Sequence, residues 1–462
     1  MKKNVNTVAI LNIISTLILQ GIVFITTPIF TRIMGSEQFG IYSLFNSWVS
    51  IFTCAMGLSM TSALGSGMYY FKEKYINFRN SIMLCSTIIC FIQIIIVFLF
   101  KDFLSLLLGF NSFLIVIIAI TSACRYIVLF CQNAFTFEKR ALYNLIMSVA
   151  LSISSVAISI LLIEKYYTVD RYLGRVFGVF ISYGIIAIIV FIILFKEKPI
   201  GISREYCFYG AKLGIPIIFH SLSLNVLIQS DRVMMQFLGV SKSIIGIYSL
   251  FYSLCSVLTI ILSALNNSWC PFFYDELAGE NNTKIDMKVR NFIELFTVIS
   301  VGFLLLSREV SYIMADSSFW SGINIIPILT IGAYFTFMYQ IPVNIEFFYK
   351  KTRLIAIGTL AAGFINIVLN IVMIPLWGMY GAAISTAISY LILFIAHKYL
   401  VKNIKVSSYK LNTRIFIYGL FCLIVGCFAF YLLGPWWYIR WGLGLFIGCF
   451  ELYRIYKRKT IF

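Results

Sequence analysis

The chain has 462 residues, 61% of them hydrophobic and only 12% charged, with a mean hydropathy of +0.94. That composition excludes a soluble globular domain, and apolar runs of roughly 20 residues, enough to cross a bilayer, recur along the whole chain. The formal charge of +18 is dispersed over many short loops and forms no continuous basic face, so nucleic acid is not expected as a partner, whereas anionic lipid headgroups are.

The first 30 residues, MKKNVNTVAILNIISTLILQGIVFITTPIF, begin with two lysines as a secretory signal does. The apolar run is too long for one and no small-residue cleavage site follows, so it reads as a retained first span. Polar breaks then predict helices near 8–34, 40–66, 79–100, 110–134, 141–163 and 174–195. Six more follow near 209–236, 243–269, 288–307, 321–346, 353–374 and 378–400, and a last pair near 412–433 and 436–455. The expected total is about fourteen.

Lysine and arginine placement supports an even count, because cytoplasmic loops are enriched in them. One set of loops holds Lys2 and Lys3, Lys72, Lys74 and Arg79, Lys139 and Arg140, Lys196, Lys198, Arg204 and Lys212, and Lys284, Lys288 and Arg290. It continues through Lys350, Lys351 and Arg353, a basic run from Lys398 to Arg414, and Arg454, Lys457, Arg458 and Lys459. The opposite set is sparser: Arg32, Lys101, Lys165, Arg171, Arg175, Arg232, Lys242, Arg308 and Arg440. Both termini are therefore expected on the cytoplasmic side. The eleven cysteines are scattered singly without CxxC spacing and read as apolar filler.

One phrase occurs twice. FGIYSLFNS at Phe39–Ser47 returns as IGIYSLFYS at Ile245–Ser253, and the lead-ins match with Gly35 opposite Gly239. Gly174 and the ISY of Ile181–Tyr183 likewise return as Gly381 and the ISY of Ile388–Tyr390. The chain therefore reads as two six-span repeats. Six is even, so the copies run parallel through the membrane, an arrangement that places two bundles around a central cavity and suits alternating access. The expected organisation is a bundle over 1–200, a second over 201–402, and two further spans over 403–462. For the phrase itself, close helix packing at Gly40 and Gly246 is the plainer reading.

At this point the chain resembles the polysaccharide-export and O-antigen flippases, relatives of the lipid II flippases and of the multidrug and toxin extrusion transporters. The resemblance runs over nearly the whole chain and rests on PIFTRIMGSEQFGIYSLF (28–45), QSDRVMMQFLGV (229–240) and NIVLNIVMIPLWGMYGAAISTAISY (366–390). It implies translocation of an oligosaccharide carried on a polyprenyl diphosphate, from the cytoplasmic to the outer leaflet of a bacterial inner membrane. Membrane lipids and other polysaccharide assembly proteins are the implied partners.

A diphosphate crossing a low-dielectric region needs cations there, and ionisable residues inside spans are costly enough to be functional candidates. Arg125 lies deep in the fourth span. Arg32 ends the first span after Pro28, and Arg232 occupies a comparable place in the seventh, where interfacial anchoring competes with a place at the cavity mouth. His220 follows Pro216 by a turn, with helix packing as the plainer role. Lys212 opens the same span, where a plain cytoplasmic lysine is the simpler reading.

Asp231 is a carboxylate within a span, suited to a coupling ion or to an ion pair with a neighbour such as Arg32. Asn366 and Asn370 share one helix face, as do Ala382 and Thr386. Together these five resemble the sodium site of the lipid II flippase branch, an all-oxygen set suited to a hard cation. Asn370 stands where that branch has a carboxylate, which weakens the expected site. The coupling ion is sodium or a proton, and no other cofactor is expected.

No phosphate loop, nucleophile with its base, or metal cluster is present, so an enzyme is not expected; GLGLFIG at 442–448 misses dinucleotide spacing. A membrane polysaccharide polymerase would carry a large outer loop, whereas the longest here, near 164–175, is about a dozen residues. An ion-coupled multidrug exporter is the stronger alternative, but it needs acids deep in the first bundle, and Glu37, Glu73, Asp102 and Glu138 all sit at span ends.

Overall fold

The computed structural model describes residues 5–196, 201–402, 411–458 and 460, with side chains described from 21 onward apart from 23 and 413. Lys2, Lys3, Lys198, Lys459 and much of the basic run after Lys402 lie outside the described residues. Among the described residues the chain is helical, with no strand. A backbone in hydrocarbon must satisfy its own hydrogen bonds, which helices do within one segment.

The helices are α1 (Val5–Ala55), α2 (Leu64–Phe71), α3 (Tyr75–Leu99), α4 (Lys101–Leu108), α5 (Ser112–Phe137), α6 (Ala141–Lys165), α7 (Arg171–Lys196) and α8 (Arg204–Phe237). They continue as α9 (Lys242–Ala278), α10 (Asn282–Met314), α11 (Ile326–Phe348), α12 (Thr352–Lys402), α13 (Thr413–Leu432) and α14 (Trp437–Arg458). Ten stretches among the described residues are long and apolar enough to cross a membrane, and α14 is not one of them. The all-α membrane architecture is as expected. Two of the ten, 24–99 and 352–402, contain internal breaks at glycines of positive φ: Gly35 (+67°) in α1 and Gly378 (+56°) in α12.

The second predicted span, 40–66, departs from a plain helix. The α-helix stops at Ala55, and a 3-10 segment, Met56–Ala63, carries Gly57, Leu58 and Ser59 at positive φ. Gln93 of α3 closes the break, accepting from Gly57 N at 3.0 Å and donating to Ala55 O at 2.9 Å. The Tyr126 ring lies where a Cβ on Gly57 would fall, 2.4 Å away, so only glycine fits. Broken backbone at membrane depth is tolerated where protein groups satisfy it in this way.

Contacts divide the chain into two units, Met1–Gln229 and Ser230–Phe462. The division falls inside α8, whereas the boundary read from the sequence precedes that helix. In the first unit, α3 and α5 bury Phe78, Ile82, Tyr126 and Phe130 together. Arg79, counted above among loop cations, is fully buried: Nη1 donates to Glu138 at 2.7 Å and Nη2 to Asn80 Oδ1 at 2.9 Å and Leu194 O at 3.3 Å. Arg175, counted as an outer-loop cation, is also buried, over the Phe30 ring at 3.9 Å and donating to Ser159 Oγ at 3.0 Å. Sequence counting cannot separate these from loop residues, because a charge near a span end is held by whatever packs beside it. Arg79→Met removes one of the two cations on Glu138 and leaves Arg140 at 3.2 Å. Breaking a buried pair in this way is expected to cost about 3 kcal/mol, read as a lowered melting temperature in detergent.

In the second unit, Trp269 of α9 stacks on Phe273 at 4.2 Å and on Phe292 of α10 at 4.5 Å. Helices α13 and α14 pack on α10. There Arg440 is buried, donating to Glu309 and, at 3.1 Å, to Leu305 O. Between α10, α13 and α14 lies an apolar cavity of about 430 Å³ lined by Val301, Phe421, Val425, Leu443 and Phe446, with Glu294 and Arg454 at one end.

The repeat has a geometric counterpart. Gly35 and Gly239, matched by sequence, both take positive φ, +67° and +74°. Gly174 of α7 and Gly381 of α12, also matched, each permit a close crossing within a hairpin. A Cβ on Gly174 would meet Ile163 N at 2.9 Å, and one on Gly381 would meet Met373 O at 2.1 Å.

Candidate functional site

Within the second unit, four helical segments place polar groups around one carboxylate. Asp231 near the end of α8 is 0% exposed, and three donors reach it. Asn370 Nδ2 donates to Oδ1 at 3.0 Å, Thr386 Oγ1 donates to Oδ2 at 2.8 Å, and Tyr248 Oη donates to Oδ2 as well. The break at Gly378 makes the arrangement possible: Asn366 and Asn370 come from the part of α12 before it, and Ala382, Ser385 and Thr386 from the part after it.

The surrounding groups close the network. Asn366 Nδ2 donates to Thr386 Oγ1 at 3.1 Å, and Asn366 Oδ1 accepts from Asn370 Nδ2 at 3.1 Å and Ser230 Oγ at 2.5 Å. Ser385 Oγ has Asn370 Oδ1 and, at 2.8 Å, Ala382 O within reach as acceptors for its single proton. Asp231 is therefore held by hydrogen bonds from neutral groups, not by an ion pair with its partners. Each such bond to a charged acceptor is worth about 1.5–3 kcal/mol, which sets the scale against burying a charge.

The structure thus brings together all five residues grouped from the sequence as an ion site, with the Ala382 carbonyl joined through Ser385. Arg232, next in the chain, is buried. Its Nε donates to Ser249 Oγ at 3.0 Å and its guanidinium lies over Tyr252 at 4.6 Å. The remaining candidates belong to the first unit and to other surroundings. Arg125, mid-way along α5, is half-buried and donates to Ser50 Oγ of α1 at 3.1 Å. Arg32 is exposed and reaches back to Pro28 O at 3.3 Å. Lys212 is exposed, and His220 is half-buried with Nδ1 lacking a hydrogen-bond partner.

Sequence reasoning missed Tyr248 and Ser249, although both lie in the second copy of GIYSLF. The phrase read as packing supplies the hydroxyl on Asp231 and the acceptor for Arg232. The first copy supplies Tyr42, whose ring lies 5.3 Å from the Arg175 guanidinium. The matched tyrosines thus each lie beside an arginine, Tyr42 by Arg175 and Tyr248 by Arg232 at 5.9 Å, a parallel that only the structure shows. Ser230 and Ser385 carried no signal, since serines at helical spacing are common in spans.

A family model described as polysaccharide biosynthesis protein matches residues 7–275, more than half of the chain. The chain belongs to this family. Its relatives include "Lsg locus putative protein 1" of Haemophilus influenzae, 23% identical over 349 residues, covering 72% of this chain and 82% of that protein. An "uncharacterized membrane protein" of the same organism is 22% identical over 71% of this chain and 80% of its own length. The fold of this polysaccharide biosynthesis family member is shared with the lipid II flippase MurJ in an inward closed conformation. The TM-score is 0.69 at 16% identity, covering 97% of this chain and 99% of that one. It is shared too with the inward-facing conformation of a multidrug resistance MATE family transporter of the MOP superfamily, at TM-score 0.64 and 13% identity over 84% and 96%.

Each residue of the Asp231 cluster carries an oxygen suited to a hard monovalent cation, with one carboxylate and no second acid, although in this arrangement Asn370 turns its Nδ2 toward Asp231. Among the described residues no group of three or more His, Cys, Asp or Glu offers a different metal centre. The residues that would hold such an ion are Asp231, Asn366, Asn370, Ala382 and Thr386.

Proposed function

We propose that this family member is a flippase that moves an oligosaccharide carried on a polyprenyl diphosphate, an O-antigen or capsule or exopolysaccharide repeat unit, across a bacterial inner membrane. Translocation runs from the cytoplasmic to the outer leaflet by alternating access of the two repeats, with both termini cytoplasmic. Arg125 carries this reading: a guanidinium mid-way along a membrane helix, half-exposed, with Ser50 as its hydrogen-bond partner and no acid paired with it among the described residues. A cation in that position calls for an anionic ligand, and a diphosphate supplies one.

Family membership supports the saccharide, and the fold shared with a lipid II flippase supports the lipid carrier. The multidrug exporter alternative loses ground on one observation. Among the described residues of the first unit every acid is exposed except Glu138, and Glu138 is taken by Arg79 and Arg140. The apolar cavity between α10, α13 and α14 has the chemistry to take part of a prenyl chain.

Coupling is assigned to the Asp231 cluster. Rotation of the Asn370 amide would present Oδ1 instead of Nδ2 beside the carboxylate, turning a hydrogen-bonded cluster into an oxygen cluster for sodium; protonation of the carboxylate is the competing outcome. Cells lacking the protein are expected to accumulate lipid-linked oligosaccharide on the cytoplasmic leaflet, and an unchanged intermediate accompanied by altered drug sensitivity would favour the exporter. Arg125→Ala is expected to lower flipping about 10- to 100-fold, the value of a charge-assisted hydrogen bond or two, at unchanged protein level. Full activity of that variant would remove Arg125 from the pathway.

A further inference from the structure

Away from the Asp231 cluster, the second unit seals off another pair of titratable groups. Glu346, two residues from the end of α11, and His397, five from the end of α12, are both 0% exposed, and His397 Nδ1 stands 2.9 Å from each carboxylate oxygen of Glu346. The other imidazole nitrogen, Nε2, is buried without a hydrogen-bond partner. It faces the earlier part of α12, where a Cβ built on Gly358 would lie 2.6 Å from it. From α11, the Tyr339 ring lies 6.2 Å from the imidazole and stacks on Tyr390 at 6.0 Å. Lys350 and Lys351 are exposed in the turn between α11 and α12, Arg353 is exposed in the first turn of α12, and Lys398 follows His397. Among the described residues none of these cations pairs with Glu346, whose recorded ion-pair partner is His397.

Each charge state of this pair leaves one group unsatisfied. With a single proton, on Nδ1, the imidazole is neutral and the carboxylate is a buried negative charge without a paired cation. With a second proton the pair is neutral overall, but Nε2–H becomes a donor aimed at the Gly358 backbone with nothing there to accept it. A buried orphan donor is unfavourable enough to drive a local shift. We propose that Glu346 and His397 form a proton-binding site, and that protonation there displaces the part of α12 before Gly378.

That segment links the two centres. Gly358, Ala362, Asn366 and Asn370 follow one another at four-residue spacing along one unbroken part of α12, each turned about 40° from the one before, and the last three are buried. Asn366 and Asn370 stand roughly 12 and 18 Å along the helix from Gly358. A shift forced at Gly358 therefore reaches the two amides that bond Thr386 and Asp231. The proton site follows from this geometry alone; its use in driving transport rests on the function proposed above.

The chain has two histidines, so full-length protein labelled with 15N-histidine in detergent gives two imidazole signals, and His220→Gln identifies them. The His397 signal is expected to report proton uptake at Nε2 on titration from alkaline to acid pH, and that uptake is expected to weaken in Glu346→Gln. A His397 signal constant over that titration in the wild-type protein overturns the site, whether or not the variant folds. Hydrogen exchange of peptides covering 358–370 is expected to differ between the two pH limits in wild type and to lose that difference in His397→Gln. A difference that persists in His397→Gln, or none in wild type, overturns the link to α12. Neither readout requires a transport substrate, so loss of the flippase reading leaves this test standing.

Discussion

Asp231→Asn is expected to reduce gradient-driven flipping by roughly 100-fold and to abolish its dependence on the sodium or proton gradient. The carboxylate meets a donor at Oδ1, from Asn370, and two at Oδ2, from Thr386 and Tyr248. An asparagine must turn its own NH2 toward at least one of them. One buried donor-to-donor conflict costs about 1–3 kcal/mol, and loss of the charge removes the attraction for a cation. The measurement is transport of a lipid-linked oligosaccharide in proteoliposomes under an imposed gradient of each ion, with a monodisperse elution profile as the control for folding. Wild-type rate with retained gradient dependence would take Asp231 out of coupling. Asn370→Asp is the companion variant. A second carboxylate beside Asp231 needs a cation between them, so sodium affinity is expected to rise about 10-fold if sodium is the ion, and to stay flat if the cluster takes only a proton.

The second large effect is expected at Gly381. Its missing side chain lets the two parts of α12 cross, with Met373 O 2.1 Å from where a Cβ would lie. Backbone cannot yield as a flexible side chain can, so Gly381→Val must push the later part of α12 outward and carry Ala382, Ser385 and Thr386 away from Asn366 and Asn370. Overpacking of this kind costs about 1–3 kcal/mol, and opening the network around a buried carboxylate adds to it. Little folded protein is expected, read by fluorescence-detected size exclusion and melting temperature. Normal yield and melting would show that the crossing at Gly381 is not needed. Gly174→Val, at the matched position against Ile163, is expected to act in the same direction on the first unit, which a limited-proteolysis comparison of the two variants would reveal.

Much of this molecule could be read without coordinates. Apolar runs between polar breaks gave helix positions within a few residues along most of the chain, because a span is recognised by a length and a polarity that the bilayer imposes. The paired glycines were legible too. Gly35 and Gly239 were matched by sequence, and both prove to need the left-handed backbone that only glycine takes without strain. Even the set Asp231, Asn366, Asn370, Ala382 and Thr386 could be assembled, but through the resemblance to the lipid II flippase branch; four-residue spacing by itself only puts Asn366 with Asn370 and Ala382 with Thr386 on one helix face.

Other features had no local signature. The break at 56–63 depends on Gln93 and Tyr126 from other helices, and the segment reads as ordinary apolar span. Tyr248 sat inside a phrase whose repetition signalled architecture, and its bond to Asp231 arises from the packing of α9 beside α8. Arg79, Arg175 and Arg440 were counted by side of the membrane, yet each is buried with a specific acid, hydroxyl or carbonyl. Glu346 and His397 lie about fifty residues apart in sequence, with nothing in either neighbourhood to suggest a pair.

The sequence alone determined that the chain is a helical membrane protein with an internal repeat, because hydropathy, loop charge and internal repetition are properties of single segments and of their order. Which polar groups meet was decided only by tertiary structure. A hydrogen bond or ion pair depends on distances of about 3 Å between side chains from different helices, and those distances are set by where Gly35, Gly378 and Gly381 let helices break and cross.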